Sequence, residues 1–199
     1  MDIIAHGLWT GAVYKAANFK TKKPFRVWWA VFWGTAPDIF SFALPVLWVI
    51  WHWVFGELDR SVFVGPENGV PPAQHLSPIF PITRQLYSFS HSAIVFAAVF
   101  LLVALVQRQF MWEMGGWLLH IFIDVLTHSY RFYPTPFLWP ISDWRFHGLS
   151  WRTPWFMVLN YSTLLIIYLF FWLRARKLKT KGEGELYKTG EVNQESGIY

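Results

Sequence analysis

The chain contains no cysteine. Disulfides and thiolate metal sites are therefore excluded, and any metal must be held by His, Asp or Glu. Charge is scarce as well: Asp, Glu, Lys and Arg supply 15% of the 199 residues, against 54% hydrophobic and 21% aromatic. That share lies well below the charged fraction of an average soluble domain. The start, MDIIAHGLW, lacks the basic stretch and small-residue cleavage site of a signal peptide, so Met1 is expected to be the mature N-terminus. There is no internal repeat and no low-complexity tract.

What the chain has in place of charge is long apolar runs. These predict an all-α fold, a polytopic membrane helical bundle of about five spans, near residues 3–17, 27–55, 85–106, 111–130 and 155–173. The first is short for a crossing. The second is interrupted by Gly34, Pro37 and Pro45, which predicts a kinked or broken helix beside Asp38. The link 56–84 is rich in Pro and Gly and reads as an ordered loop or short surface helices. One transmembrane domain is expected over residues 1–179, with a flexible cytoplasmic tail over 180–199.

With alternating crossings, twelve basic residues fall on one side: Lys15, Lys20, Lys22, Lys23, Arg26, Arg108, Arg174, Arg176, Lys177, Lys179, Lys181 and Lys188. The opposite side keeps only Arg60, Arg84, Arg131, Arg145 and Arg152. The positive-inside rule then puts the twelve, and the C-terminus, in the cytoplasm. The same bias accounts for the formal net charge of +5 without nucleic acid, which is not expected as a partner.

Within this apolar background six polar residues stand out: His6, Asp38, His91, His120, Asp124 and His128. In LLHIFIDVLTH, steps of four put His120 and Asp124 on one helix face, with His128 a turn further on. An ionisable group inside a span is costly unless it is paired. Imidazole and carboxylate are the usual non-thiolate zinc ligands, and a cation would neutralise the carboxylates. Each residue also has a plainer reading. His6 and His128 could be hydrogen-bonding groups at span edges, Asp38 a helix cap after Pro37, and His120 with Asp124 an i,i+4 pair. A histidine-carboxylate proton path would use the same groups. His52, among tryptophans, reads as an interfacial anchor, and His75 and His147 have no partner at ligand spacing.

The loop RFYPTPFLWPISDWRFHGLSWRTPW, residues 131–155, combines Trp139, Trp144, Trp151 and Trp155 with Arg131, Arg145 and Arg152. The tryptophans fit an aromatic belt. The arginines supply forked donors suited to phosphate, so the loop is also a candidate lid that grips a lipid headgroup.

Five segments together carry a family likeness: MDIIAHGLWTGAVY, GTAPDIF, LYSFSHS, WLLHIFIDVLTHS and FYPTPFLWPISDWRFHGLSW. Over most of residues 1–155 the chain resembles the bacterial inner-membrane metal-dependent hydrolase family, a group also described as LexA-binding membrane-bound hydrolases. The resemblance makes His6, Asp38, His91, His120 and Asp124 the family's polar positions, with His128 as an addition. It implies a multi-pass protein of a bacterial or archaeal inner membrane. Many members carry a second Asp where this chain has Phe40, and a His-Arg pair where it has Leu86 and Tyr87, so one or two zinc ions remain open. A fainter likeness is to zinc-dependent phospholipase C, whose ligands run in the order His, Asp, His, His-x-x-x-Asp. That analogy implies Asp38, His91, His120 and Asp124 as one metal site, with Asp124 bridging toward a second ion near His6. The expectation is a hydrolase of an ester or phosphodiester in a membrane lipid or lipid-linked substrate. His128 and His6 are its candidate catalytic bases, and Arg131, Arg145 and Arg152 its candidate phosphate contacts. The alternatives are a metal or proton transporter and a structural protein with a zinc staple.

Overall fold

The computed structural model describes residues 1–56, 79–130 and 134–195. Among these the chain is all-helical, with no strand: α1 (Ile3–Asn18), α2 (Val27–Val54), α3 (Ile79–Ser90), α4 (Ala93–Gln107), α5 (Gly115–Thr127) and α6 (Pro154–Glu195), with a 3₁₀ turn at Trp112–Met114 before α5. The backbone divides into two units, Met1–Met157 and Val158–Tyr199. The boundary expected near residue 179 falls inside α6. The helix α6 runs to Glu195. The Pro-rich link lies mostly outside the described residues.

Among the described residues two helices are long and apolar enough to cross a membrane, Val27–Val54 and Pro154–Leu178. The pair Pro81–Ser90 and Ala93–Gln107, bent by 60°, makes a third if it counts as one span. The 16 residues of α1 and the 13 of α5 reach only about 24 and 20 Å, against about 30 Å of hydrocarbon. Five full-length spans are thus not what the described helices provide.

The packing is arranged for lipid outside and small or polar groups inside. On α2 the buried residues are Ala30, Gly34, Pro37, Asp38 and Ser41, one stripe at helical spacing. Its bulky residues, among them Trp28, Trp29, Phe32, Trp51 and Trp53, are exposed. A face of small residues lets backbones approach closely, which is how helices associate where lipid removes the hydrophobic drive. Thr10 fills the crossing: a Cβ added at Gly34 would strike its hydroxyl, and one at Gly116 would fall onto the Ala30 carbonyl and within 3.1 Å of the Thr10 methyl. Gly116→Ala is therefore expected to destabilise the bundle by about 1–3 kcal/mol. Thermal unfolding in detergent measures it, and an unchanged midpoint would show that the helices can part without cost. On the other side of α5 a core of Val95, Phe96, Met114, Trp117 and Ile121 joins it to α4.

Two local features differ from what the sequence predicts, and both shape the site. The helix α2 continues through Pro37 and Pro45 without a break. Each proline leaves one carbonyl without its i+4 amide donor, a loss that neighbouring groups can absorb in a bundle. The span expected over 85–106 is instead broken. Ser92 ends the run by capping α4, its hydroxyl accepting from the amides of Ile94 and Val95 at 3.1 and 3.2 Å and donating to the Trp139 carbonyl. The break leaves His91 at the corner, its side chain turned inward.

Candidate metal centre

The floor of the site is α5. Its i,i+4 spacing sets His120 above Asp124, and both side chains are fully buried. Asp38 comes from the small-residue stripe of α2, and His91 from the corner between α3 and α4. Four donor atoms, one each from Asp38, His91, His120 and Asp124, lie within 4.8 Å of one another. The Nε2 atoms of His91 and His120 are 3.0 Å apart. From Asp124 Oδ2 they lie 3.3 and 3.4 Å, and from Asp38 Oδ1 3.5 and 3.7 Å.

The hydrogen bonds behind the two imidazoles decide which nitrogens are bare. Nδ1–H of His120 donates to the Gly34 carbonyl at 2.8 Å, which leaves Nε2 without a proton in the neutral ring. His91 is held by a chain running the same way. Ser41 donates to the Pro37 carbonyl at 2.8 Å, so it accepts from Ser90 at 2.7 Å, and Ser90 in turn accepts from His91 Nδ1–H at 2.8 Å. Both Nε2 lone pairs therefore face each other and two carboxylates. Among the described residues Asp124 Oδ2, buried in their midst, has no hydrogen-bond partner.

Four acceptors converging in this way repel one another unless a cation stands among them. The spacing suits one. A tetrahedron with metal-ligand distances of about 2.0–2.1 Å has edges of about 3.3 Å, close to the separations found here. The residues present fit a metal ion held by two histidines and two carboxylates, with the Gly34 carbonyl and the Ser90 hydroxyl fixing the rings of His120 and His91.

The other predicted residues stand around this group. His6, on α1, donates from Nε2 to Asp124 Oδ1 at 2.8 Å and stacks on His120 with ring centroids 3.7 Å apart. It thus meets the oxygen of Asp124 that faces away from His91 and His120, and its own buried Nδ1 has no hydrogen-bond partner among the described residues. His128 does not extend the helical face. It is the C-cap of α5 in an extended conformation, with Nε2 3.4 Å from Asp124 Oδ1. The main-chain nitrogen of Met1 donates to Asp124 Oδ1 and, at 2.9 Å, to His128 Nε2.

The loop after α5 is tied to that helix's end: the amides of Gly148, Leu149 and Trp151 donate to the carbonyls of His128, Leu126 and Thr127 at 2.8–2.9 Å. Arg145 of this loop is half-buried and within electrostatic reach of Tyr87, while Arg152 is exposed and Arg131 lies outside the described residues. His52 donates to the Trp48 carbonyl at 2.8 Å, and His147 accepts from the Tyr130 amide at 3.1 Å, both apart from the cluster. His75 lies outside the described residues.

Sequence reasoning missed the residues that aim the ligands: Ser41, Ser90, the Gly34 carbonyl and Tyr87. The signal was present in LYSFSHS, where a Tyr four residues before a His and a Ser beside it can both reach the imidazole of a helical His.

The fold and site thus define an all-helical chain with helices of membrane-crossing length and a buried His/Asp group able to hold a metal ion. Comparison with protein-family models, curated proteins and solved structures finds no match.

Proposed function

We propose that the chain is a membrane-embedded, metal-dependent hydrolase acting on an ester or phosphodiester of a membrane lipid or lipid-linked substrate, of the inner-membrane hydrolase family that its segments resemble. The observation that carries this proposal is the set of five donor separations, 3.0–3.7 Å, among His91, His120, Asp38 and Asp124. These four residues would hold zinc. Bound zinc supplies Lewis acidity toward an ester or phosphoryl oxygen and lowers the pKa of water.

The remaining work falls to the chain itself. His91 and His120 present bare Nε2 atoms, and two carboxylates balance the charge of a divalent cation. His128 and His6 flank Asp124 as the candidate bases, His6 through Nδ1, since its Nε2 proton is given to Asp124 Oδ1. Arg145 and Arg152, with Arg131 outside the described residues, would grip phosphate at the loop. In the membrane, α1, α2, the α3–α4 pair, α5 and α6 make five crossings, two of them short, with the twelve basic residues and the C-terminus on the cytoplasmic side.

One observation favours a second reading. A closed set of four buried protein ligands is also how zinc staples helices. A staple, however, needs nothing beyond its four ligands, and this site keeps His6, His128 and Tyr87 buried beside them. Metal content and lipid hydrolysis separate the two. Wild type purified in detergent, loaded with zinc and desalted, is expected to retain stoichiometric zinc and to hydrolyse a lipid in a mixed-lipid screen read by mass spectrometry, and Asp38→Ala is expected to lose both. Retained zinc with no hydrolysis would assign the staple. No stoichiometric metal in wild type would end both readings.

A further inference from the structure

Away from the metal centre, the unit Met1–Met157 gathers positive charge at two turns that the proposed chemistry does not use. The last turn of α1 and the link to α2 supply Lys15, Lys20, Lys22, Lys23 and Arg26, and the link between α4 and α5 adds Arg108. Across residues 15–29 and 107–114 the sequence has a single carboxylate, Glu113.

The two turns make one surface. The Tyr14 hydroxyl donates to the Trp112 carbonyl at 2.6 Å, and the Arg26 amide donates to Glu113 Oε1 at 3.1 Å. Asn18 closes the base of the lysine loop: its Oδ1 accepts the Phe25 amide at 2.7 Å and its Nδ2 donates to the Phe25 carbonyl at 3.0 Å. Lys20, Lys22 and Lys23 are thus presented on a loop pinned at its base, and all three are exposed.

Aromatic rings border the charges. Phe19, Trp28, Trp29, Phe110 and Trp112 are exposed, and Trp28, at 85%, is too little covered to serve packing within the chain. The depth of these rings follows from the length of α2. Its 28 residues reach about 42 Å, close to the about 40–45 Å of a bilayer with its headgroups, so its first turn lies at headgroup level. Trp28 and Phe32, four residues apart, share an exposed face of α2, and the aromatic strip therefore leads from the cations down along the apolar helix. Cations beside aromatic rings also suit a single-stranded nucleic acid. A strip that continues along a helix of membrane-crossing length fits a molecule with an anionic head and an apolar tail better.

We propose that this surface binds anionic phospholipid: the lysine loop, Arg26 and Arg108 meet the negative headgroups, the indoles sit at the interface, and Phe32 lies along the acyl chains. The surface involves no residue of the metal centre, so this proposal and the hydrolase reading can fail separately.

The test is lipid retention by the full chain, purified in non-ionic detergent with a chelator present so that no lipid is turned over. Equal amounts of phosphatidylglycerol and phosphatidylcholine are added, and native mass spectrometry counts the lipids that stay bound. Wild type is expected to keep phosphatidylglycerol in preference. Lys20→Gln, Lys22→Gln and Lys23→Gln combined should lower that preference by at least about fivefold, the worth of one basic residue near an anionic surface. Lys20→Arg, Lys22→Arg and Lys23→Arg combined should keep it, since the charge is retained. Equal retention of the two lipids by wild type would overturn the proposal, as would a preference that the glutamine variant keeps or the arginine variant loses. A single-stranded oligonucleotide that binds wild type but not the glutamine variant, with no preference between the lipids, would reassign the surface to nucleic acid.

Discussion

Asp124→Ala is expected to abolish metal binding and to cost the metal-free protein about 3–5 kcal/mol of stability, the range for removing one partner from a buried charged network. Asp124 is the residue on which both sides of the site depend. Its Oδ1 accepts from His6 Nε2 and the Met1 nitrogen, and its Oδ2 faces His91 and His120 at 3.3 and 3.4 Å. Without the carboxylate, the His6 proton and the Met1 nitrogen lose an acceptor in a place water does not reach. Two measurements separate the effects. Thermal unfolding in detergent with a chelator reads the first, and Asp124→Asn, which keeps the shape and one acceptor oxygen, should recover part of it. The second is the stabilisation that zinc itself confers, about 2.7 kcal/mol at a hundredfold excess over Kd in wild type, which should vanish in both variants. A zinc-dependent shift that survives in Asp124→Ala would place the metal elsewhere.

The parts of this site legible in the sequence are those that local geometry decides. His120 and Asp124 are four residues apart on a helix, and that spacing alone puts them on one face. His6, Asp38 and His91 could be marked because a polar side chain in an apolar run is expensive, but only packing brings α1, α2 and the α3–α4 corner to the same place. His128 shows where the periodicity stops being a guide. Its spacing continues the series, yet α5 ends at Thr127 and the chain turns extended, so His128 faces Tyr87 and the Oδ1 side of Asp124.

Hydropathy misled at the one point where it mattered most. Apolar composition continues across residues 93–107, so 85–106 reads as a single span, but the Ser92 hydroxyl accepts from the amides of Ile94 and Val95 and the helix breaks ahead of it. Proline had the opposite effect. Pro37 and Pro45 predicted either a kink or a break in α2, and the helix runs on unbroken, with Ser41 reaching back to the Pro37 carbonyl from within the turn. In both places serine hydroxyls, which hydropathy averages over, determine how the backbone bonds are completed. Ser41, which bonds the Pro37 carbonyl inside α2, is also the outer end of the hydrogen-bond chain that sets the His91 tautomer.

His120→Ala should lower zinc affinity by more than any change outside the ligand set, and a graded series with Ser90→Ala and Ser41→Ala makes the comparison. Removing an outer partner of a metal-binding histidine costs roughly 10- to 100-fold in affinity, because the ring keeps its place but loses its preferred tautomer. Ser90→Ala falls in that class: His91 can still donate to the Tyr87 carbonyl at 3.2 Å. Ser41→Ala, one bond further out, should cost less, since Ser90 can turn its proton to the Tyr87 carbonyl at 3.4 Å. His120→Ala has no such reserve. It deletes a donor that lies 3.0 Å from His91 Nε2 and 3.4 Å from Asp124 Oδ2, and it removes the ring on which His6 stacks. Competition with a chromophoric zinc chelator reads the whole series on one scale. The expected order of loss is His120→Ala, then Ser90→Ala, then Ser41→Ala. Equal affinities for wild type and His120→Ala would show that the four converging acceptors do not hold the ion.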